Sequence, residues 1–318
     1  MILDQFIEEF IEDVCAGKDN LTPVAYRRKL VYLKEYLKHE NLTLRRIDSR
    51  DMARFVRYLQ TRNTKRCGKR IVKGKLSPWT IKTVLGTTKH FFRWCQTNRK
   101  LWLDPMMGVK IPRTPAPLPK AISADTVDKL LHAAATYGEE WMRYRNLVLI
   151  YLLRDTGGRR MGIANAEIDY LELRRRRLYV TDKGGKHCVL RLSENTKKAI
   201  ELWLPVREKI PPLDNRLLTG RLGYGIVPGT INSILRILGE HAGITMRKNP
   251  HSFRHAFARD LLQNHADLTT VSQLMHHSSI AVTADYYARW ADDELQRAHA
   301  LYSPGRNLPP PDSLLEEQ

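Results

Sequence analysis

Residues 249–287, NPHSFRHAFARDLLQNHADLTTVSQLMHHSSIAVTADYY, bring together several histidines, two arginines and a pair of tyrosines. The Asn-Pro at the start is typical of a helix N-terminus, and the apolar residues that follow recur at helical spacing. His251 and Arg254 are three residues apart and should therefore lie side by side near the start of that helix. A helix N-terminus and a planar guanidinium both favour a bound anion such as a phosphate. Because His-x-x-Arg is common by chance, its meaning depends on the other motifs.

The composition predicts a globular chain of two domains. Its 318 residues are 42% hydrophobic, which is enough for sizeable cores. No apolar run approaches the roughly 18–20 residues of a membrane span, and the first residues are acidic rather than typical of a targeting sequence, so we expect a cytoplasmic protein. Neither a disulfide framework nor a zinc cluster is predicted, because no C-x-x-C spacing joins the four cysteines, Cys15, Cys67, Cys95 and Cys188.

The formal net charge of +19 is unevenly distributed along the sequence. Residues 1–120 contain 26 Lys and Arg against 11 Asp and Glu, whereas residues 121–318 contain 27 against 23. A diffuse positive charge is common on soluble proteins, but a charge concentrated in one half favours a nucleic-acid contact surface. We therefore expect a nucleic acid as the partner, bound mainly through its phosphates.

Four helices are predicted in this basic half from apolar residues at helical spacing, over residues 2–15, 22–39, 48–62 and 77–98. The third and fourth begin with the capping pairs Asp-Ser and Ser-Pro. Between them, TRNTKRCGKRIVKGK (61–75) is too polar for a core and is predicted to be a loop at the DNA surface. The candidate DNA-binding side chains are the basic residues of this segment together with several outside it: Lys65, Arg66, Lys69, Arg70, Lys73, Lys75, Lys82, Lys89, Arg174 and Arg175.

A proline-rich segment, DPMMGVKIPRTPAPLPK (104–120), ends this helical pattern and predicts a domain boundary. We predict a helical domain over residues 1–110, a stiff linker over 111–120, a second domain over 121–303 and a tail over 304–318. A linker of this length would let two domains close around a duplex. A rigid surface loop inside one domain is the alternative interpretation.

The second half combines helices with a strand pair. LRRRRLYVTDKGGKHCVLRLS (173–193) alternates apolar and polar residues around a Lys-Gly-Gly-Lys turn, which predicts a β-hairpin. Helices are predicted from Ser123 onward and over residues 144–155, 194–209, 230–241 and 291–302. The expected fold class is mainly α, with a helical DNA-binding domain followed by a mixed α/β domain that contains a small antiparallel sheet.

Cleaving a phosphodiester by covalent catalysis needs a nucleophile, cationic donors for the transition state and an acid for the leaving 5′ oxygen. Tyr286 is the candidate nucleophile, and Arg159 and Arg254 are candidates for bracing the non-bridging oxygens. His251 and His277 could assist proton transfer or donate a hydrogen bond. A lysine on the hairpin could protonate the leaving group.

In this order the motifs resemble those of the tyrosine recombinase (phage integrase) family. The matching elements are T-G-x-R ending at Arg159, Lys183 in a K-G-x-K turn, H-x-x-R beginning at His251, His277, and a tyrosine nine residues beyond that histidine. The spacings also resemble those of the simple bacterial members, the Xer-type recombinases. The motifs span residues 123–302, and the four basic helices more weakly resemble the family's SAM-like core-binding domain.

The resemblance implies strand exchange between two sites on double-stranded DNA through a 3′-phosphotyrosyl link, a free 5′-hydroxyl and a Holliday junction. No metal and no nucleotide cofactor are implied. The implied assembly is a homotetramer on DNA in which a C-terminal segment, with helix 291–302 and the tail to Gln318 as candidates, reaches a neighbouring protomer. An accessory protein is compatible with it. Because the first predicted helix begins near residue 2, we expect no additional N-terminal arm-binding domain and short target sites. The implied catalytic residues are Tyr286, Arg159, Lys183, His251, Arg254 and His277.

The sequence departs from the family's pattern at two positions. An acidic residue usually follows the first arginine by three positions, where this chain has Gly162, so support for Arg159 must come from elsewhere or be missing. His276 stands where a glycine usually precedes the second histidine. Some assignments stay open, with Arg160, Lys186, His276 and Tyr287 as the alternatives to Arg159, Lys183, His277 and Tyr286.

Other functions stay open from the sequence. A zinc hydrolase would explain His251 and His255 at helical spacing, although Ser252 stands where H-E-x-x-H needs glutamate. A DNA-binding protein that keeps this fold without its activity would explain Gly162. A type IB topoisomerase or a hairpin-forming resolvase would use the same chemistry.

Overall fold

The proline-rich segment 104–120 contains the point at which the chain divides into two units, Met1–Pro117 and Leu118–Gln318. Each unit has its own apolar core. No helix within the described part of the chain is long and apolar enough to cross a membrane. The structure is a computed structural model that describes residues 2–16, 21–67, 70–112, 114, 120–182, 185–211, 213–245, 248–276, 279–280, 284 and 303.

The first unit confirms the four helices predicted from apolar spacing, and the predicted caps form. Asp48 accepts the backbone N–H of Asp51 at 2.9 Å, and the Asp51 carboxylate accepts the Asp48 N–H at 3.0 Å. Ser77 Oγ accepts the N–H of Thr80 at 3.1 Å. The bounds are α1 (Ile2–Cys15), α2 (Leu21–His39), α3 (Ser49–Thr61) and α4 (Pro78–Thr97).

The segment 61–75 contains two paired strands, so the predicted loop was wrong. Strands β1 (Thr64–Cys67) and β2 (Arg70–Lys73) pair antiparallel. Polar contacts, rather than an apolar face, hold the hairpin to α2: the Tyr32 hydroxyl accepts the Arg66 backbone N–H at 3.2 Å, and Glu35 accepts from the Arg66 guanidinium at 2.8 Å. Without an apolar stripe, the sequence offered no alternation to reveal the strands.

The second unit confirms a mainly helical fold with a small antiparallel sheet. The sheet has the strand order β3 (Leu171–Glu172), β4 (Arg177–Asp182), β5 (Lys186–Arg191). Strands β4 and β5 form the predicted hairpin, with Asp182 opposite Lys186. The helix predicted over 291–302 lies outside the described residues. The described elements are α5 (Ala124–Thr136), α6 (Glu140–Thr156), α7 (Arg160–Ala164), a 3₁₀ turn (Ile168–Tyr170), β3 (Leu171–Glu172), β4 (Arg177–Asp182), β5 (Lys186–Arg191), α8 (Glu194–Glu208), α9 (Pro228–His241), α10 (Pro250–Gln263) and α11 (Leu268–Leu274).

Helix α6 is the centre of this unit. It packs against α5, α8 and α10, and its apolar residues from Val148 to Leu153 are largely buried. This packing brings the C-terminus of α6 next to the first turns of α10. The segments that contain Arg159, just after α6, and Arg254, near the start of α10, therefore lie close together.

Candidate active site

The Thr-Gly-Gly-Arg turn at the end of α6 places Arg159 at the N-terminus of α7. Gly157 ends α6 with a φ of 56°, in the left-handed region that favours glycine. A Cβ at Gly157 would also lie 2.4 Å from Cδ1 of Phe257 on α10. Thr156 Oγ1 accepts the Gly158 N–H at 3.1 Å and closes the turn. The left-handed φ and the close approach of Phe257 on α10 therefore both explain why the motif has glycine at position 157.

Arg254 is buried on α10 and joins this helix to the ends of two others. Its Nη1 donates to the Gly157 carbonyl at 2.7 Å, and its Nη2 donates to the Met275 carbonyl. These carbonyls lie at the C-terminal ends of α6 and α11, where a positive charge is favourable. Burial and the nearby Arg159 lower the pKa of Arg254 to about 10, so the guanidinium stays charged at neutral pH.

Arg159 forms an ion pair with Asp182, the last residue of β4. The Asp182 side chain is buried, and its Oδ1 has no hydrogen-bond partner among the described residues. Sequence reasoning missed Asp182, although a signal was present. Strand alternation places it on the same buried face as Leu178 and Val180, and a carboxylate on such a face requires a partner.

The rings of His251 and His255 meet edge to face on α10, with their centroids 4.1 Å apart. Desolvation, followed by the nearby cations Arg254 and Arg159, lowers the pKa of His251. Desolvation and the neighbouring His251 and Arg254 lower the pKa of the buried His255 to about 4. Both imidazoles are therefore neutral at neutral pH, and His251 can accept a proton.

Arg159, His251 and Arg254 are brought together at one open cleft of about 320 Å³. Two guanidinium groups, an imidazole and the N-terminus of α10 converge there, which suits a phosphodiester anion. The cleft is lined by Gly158, Arg159, Arg160, Asn232, Asn249, Pro250, His251 and Arg254.

Three of the predicted catalytic residues, Lys183, His277 and Tyr286, lie outside the described residues, and so does Tyr287. The structure does describe Arg160, Lys186 and His276, which the sequence left open as candidates. Arg160 lines the cleft, and Lys186 is exposed at the start of β5. His276 is half-buried with a φ of 51°, a left-handed conformation that explains why glycine suits this position.

Across the described ranges, no group of three or more His, Cys, Asp or Glu side chains is arranged to hold a metal ion. The pair His251 and His255, which motivated the zinc hydrolase hypothesis, thus stands without a described third ligand.

Most of the candidate DNA-binding side chains are exposed. Arg66 is half-buried and forms a salt bridge with Glu35 at 2.5 Å, so its charge is partly neutralised. Lys82 lies over the ring of Trp79, 5.3 Å from its centroid. Lys89 is half-buried, and Lys69 lies outside the described residues. The exposed members are Lys65, Arg70, Lys73, Lys75, Lys82, Arg174 and Arg175.

Two family models match the chain. The phage integrase family matches residues 120–294, and the phage integrase SAM-like domain matches residues 3–107. Among curated proteins, the tyrosine recombinase XerC of Pseudomonas aeruginosa is 26% identical over 290 residues, which is 89% of this chain and 88% of that protein.

Solved structures share the fold. The XerH site-specific recombinase bound to a palindromic difH substrate aligns with a TM-score of 0.75 and 18% identity over 93% of this chain and 95% of XerH. A lambda integrase (75–356) dimer bound to a COC′ core site aligns with a TM-score of 0.66 and 14% identity over 88% of this chain and 96% of that one. The family match covers more than half of the chain and includes the residues gathered at the cleft; the protein belongs to the phage integrase, or tyrosine recombinase, family.

Proposed function

We propose that this chain is a site-specific DNA recombinase that cuts and rejoins duplex DNA through a 3′-phosphotyrosyl intermediate. The observation that supports this best is the cleft where Arg159, His251 and Arg254 converge at the start of α10. A phosphodiester in this cleft would meet two guanidinium groups fixed by the fold. Such preorganised donors stabilise the extra negative charge that develops around phosphorus in the transition state.

In the proposed reaction the Tyr286 oxygen attacks phosphorus, and the bond to the 5′ oxygen breaks. His251, which is neutral at neutral pH, is the described candidate for receiving the tyrosine proton, and His277 is proposed to donate a hydrogen bond to the phosphate. Lys183 gives a proton to the leaving 5′ oxygen. The phosphotyrosyl ester conserves the energy of the phosphodiester, so a 5′-hydroxyl can rejoin the strand without a nucleotide cofactor or a metal ion.

DNA binding is proposed to rest on phosphate contacts from the predicted helical domain, residues 1–110, with the linker 111–120 allowing this domain and the second one to hold the duplex. Lys65, Lys73 and Lys75 are exposed on or beside the β1–β2 hairpin and are the leading candidates. Contacts of this kind supply affinity and register rather than sequence reading. The DNA-bound XerH and lambda integrase relatives support duplex DNA as the partner.

The proposed assembly is a homotetramer that joins two DNA sites through a Holliday junction, in the cytoplasm on the nucleoid. Residues 291–302 and the tail 304–318, which lie outside the described residues, are proposed to reach a neighbouring protomer. An accessory protein that sets the direction of exchange is compatible with this scheme.

A suicide duplex tests the proposal. The duplex carries a site recovered from randomised DNA by repeated binding to the protein, with a nick that lets the cleaved fragment diffuse away. We expect a covalent protein–DNA band that persists in SDS and forms equally in EDTA. Tyr286→Phe should abolish the band, whereas the matched Tyr287→Phe should retain it.

Other outcomes would replace the proposal. DNA binding without a covalent band would leave a DNA-binding protein of the same fold, and a band that disappears in EDTA would contradict metal-free chemistry. Relaxation of supercoiled DNA without preference for the selected site would indicate a topoisomerase. Hairpin ends would indicate a resolvase.

A further inference from the structure

Arg159 has a carboxylate partner from an unexpected part of the chain. The acidic residue that the family usually carries three positions after this arginine is replaced by Gly162. In the structure, Nη1 of Arg159 donates instead to Oδ2 of Asp182, which ends strand β4 of the hairpin.

The space beside Gly162 suits one carboxylate. Residues 159 and 162 are one helical turn apart and lie on the same side of the chain. A Cβ at Gly162 would lie 3.5 Å from Asp182 Oδ1 and 3.2 Å from Cγ2 of Val180. An acidic side chain at position 162 would therefore enter the region that the Asp182 carboxylate already fills.

The negative charge of Asp182 also affects the repulsion between Arg159 and Arg254. Arg159 lowers the pKa of Arg254 by repulsion, whereas Asp182 raises it. The carboxylate thus offsets the repulsion between the two guanidinium groups while the cleft holds no phosphate. Its hydrogen bond occupies Nη1 of Arg159, and within the described residues the other N–H groups of that guanidinium stay available for a ligand.

We propose that Asp182 is the positioning residue for Arg159, supplying from the hairpin the carboxylate that is missing at Gly162. The proposal rests on the recombinase function proposed above. Asp182 acts through Arg159 rather than on the DNA. Because Lys183 follows Asp182 directly in the chain, the same ion pair also fixes the end of the strand that precedes the candidate general acid.

Single-turnover cleavage of the suicide duplex at saturating protein tests this proposal, with DNA affinity measured separately. Asp182→Asn keeps the shape of the side chain and removes its charge. We expect cleavage to slow by about 10- to 100-fold, because small errors in the placement of a catalytic group have effects of this size. DNA affinity should change by less than about threefold, since the phosphate contacts of the first unit supply most of the binding. Asp260→Asn, which removes the partner of Arg154 in the same unit, is the matched control and should cleave normally.

Gly162→Asp distinguishes a positioning role of Asp182 from a merely structural one. Its effect on the cleavage rate should have opposite signs in the natural protein and in the Asp182→Asn variant. In the natural background it places a second carboxylate beside Asp182 and should slow cleavage more than Gly162→Ala, which measures the crowding against Val180 alone. In the Asp182→Asn background it restores a carboxylate beside Arg159 and should speed cleavage.

The outcomes separate the two proposals. If the unaltered protein forms the phosphotyrosyl band and Asp182→Asn cleaves equally fast, the role of Asp182 is refuted and the recombinase function stands. The same holds if Gly162→Asp slows cleavage in both backgrounds. Should Asp182→Asn fail to fold, the Gly162 variants decide alone, and equal cleavage by Gly162→Asp and Gly162→Ala refutes the role. If the unaltered protein forms no band, the recombinase function fails, and the role of Asp182 fails with it.

Discussion

Arg254 shows how one side chain supports both the fold and the candidate site. Two of its five N–H groups hold the carbonyls of Gly157 and Met275, and both acceptors end a helix. The remaining donors belong to a guanidinium that lines the cleft. A buried cation with fixed partners cannot swing away from a phosphate, so the hydrogen bonds that stabilise the fold also orient the proposed binding group.

His255 should make the stability of the protein depend on pH. Its folded-state pKa of about 4 lies below the ordinary value of 6.5, so the unfolded chain binds the proton first as the pH falls. Stability present above pH 6.5 should be lost progressively toward pH 4, by on the order of 3 kcal/mol. The lowered pKa values of His251 and His276 act in the same direction.

Urea unfolding at pH 7 and pH 4.5 measures this dependence. His255→Gln should reduce the difference in unfolding free energy between the two pH values, whereas replacing the exposed His132 by Gln should leave that difference unchanged. Equal pH dependence in the protein and in His255→Gln would show that the buried imidazole is not the group responsible.

Lys183 is proposed as the acid for the leaving oxygen, and Lys186, the second lysine of the K-G-x-K motif, provides a matched control. Lys183→Ala should slow single-turnover cleavage by about 100-fold or more, since general acids contribute effects of this order. Lys186→Ala should have little effect. Rescue of Lys183→Ala by a duplex with a 5′-phosphorothiolate leaving group, which needs no proton, would identify the step. A fall in DNA affinity equal to the fall in rate would contradict the assignment.

At the scale of elements, the turn between α6 and α7 couples packing to the site. Gly157→Ala would force a Cβ against Phe257 at a left-handed φ, so we expect a loss of about 2–4 kcal/mol in unfolding free energy. Cleavage should also fall, because the Gly157 carbonyl holds Arg254. Gly229→Ala is the control: nothing lies within 4 Å of its Cβ position. A normal melting temperature for Gly157→Ala would contradict this account of the turn.

The β1–β2 hairpin should govern the salt dependence of DNA binding. Replacing Lys65, Lys73 and Lys75 together by Gln should weaken binding on all DNA sequences. It should also make the plot of log affinity against log salt shallower by about 0.9 for each phosphate that the protein no longer neutralises. Lys34→Gln in the same unit is the control, because Lys34 is already paired with Asp4. An unchanged slope in the triple variant would place the DNA on another surface.

The elements with long apolar periodicity could be predicted from the sequence, and those without it could not. The four helices of the first unit agree with the prediction to within a residue or so at each end. Helices α7 and α11 are too short to show a period, and the polar β1–β2 hairpin has no apolar stripe. For the cleft, motif spacing was enough to select Arg159, His251 and Arg254. Strand alternation indicates that the Asp182 carboxylate needs a partner, but only the tertiary structure identifies that partner as Arg159, 23 residues away.

At the scale of the whole molecule, the excess positive charge and the candidate active site lie in different parts of the chain. The excess of Lys and Arg is concentrated in residues 1–120, whereas the cleft lies in the second unit, where the charges nearly balance. We infer that binding strength and cleavage rate can be altered separately. Substituting lysines of the first unit should change DNA affinity with little effect on the cleavage rate at saturation. Substituting residues around the cleft should change the cleavage rate with little effect on affinity.

We expect a tyrosine of this chain to become covalently joined to DNA. Trypsin cuts after Arg259 and Arg289, and the peptide 260–289 that it releases contains two tyrosines, Tyr286 and Tyr287. Mass spectrometry of this peptide, after nuclease treatment of the suicide-duplex adduct, locates the bond directly. We expect a nucleotide remnant on Tyr286. A remnant on Tyr287, or on a residue outside this peptide, would contradict it.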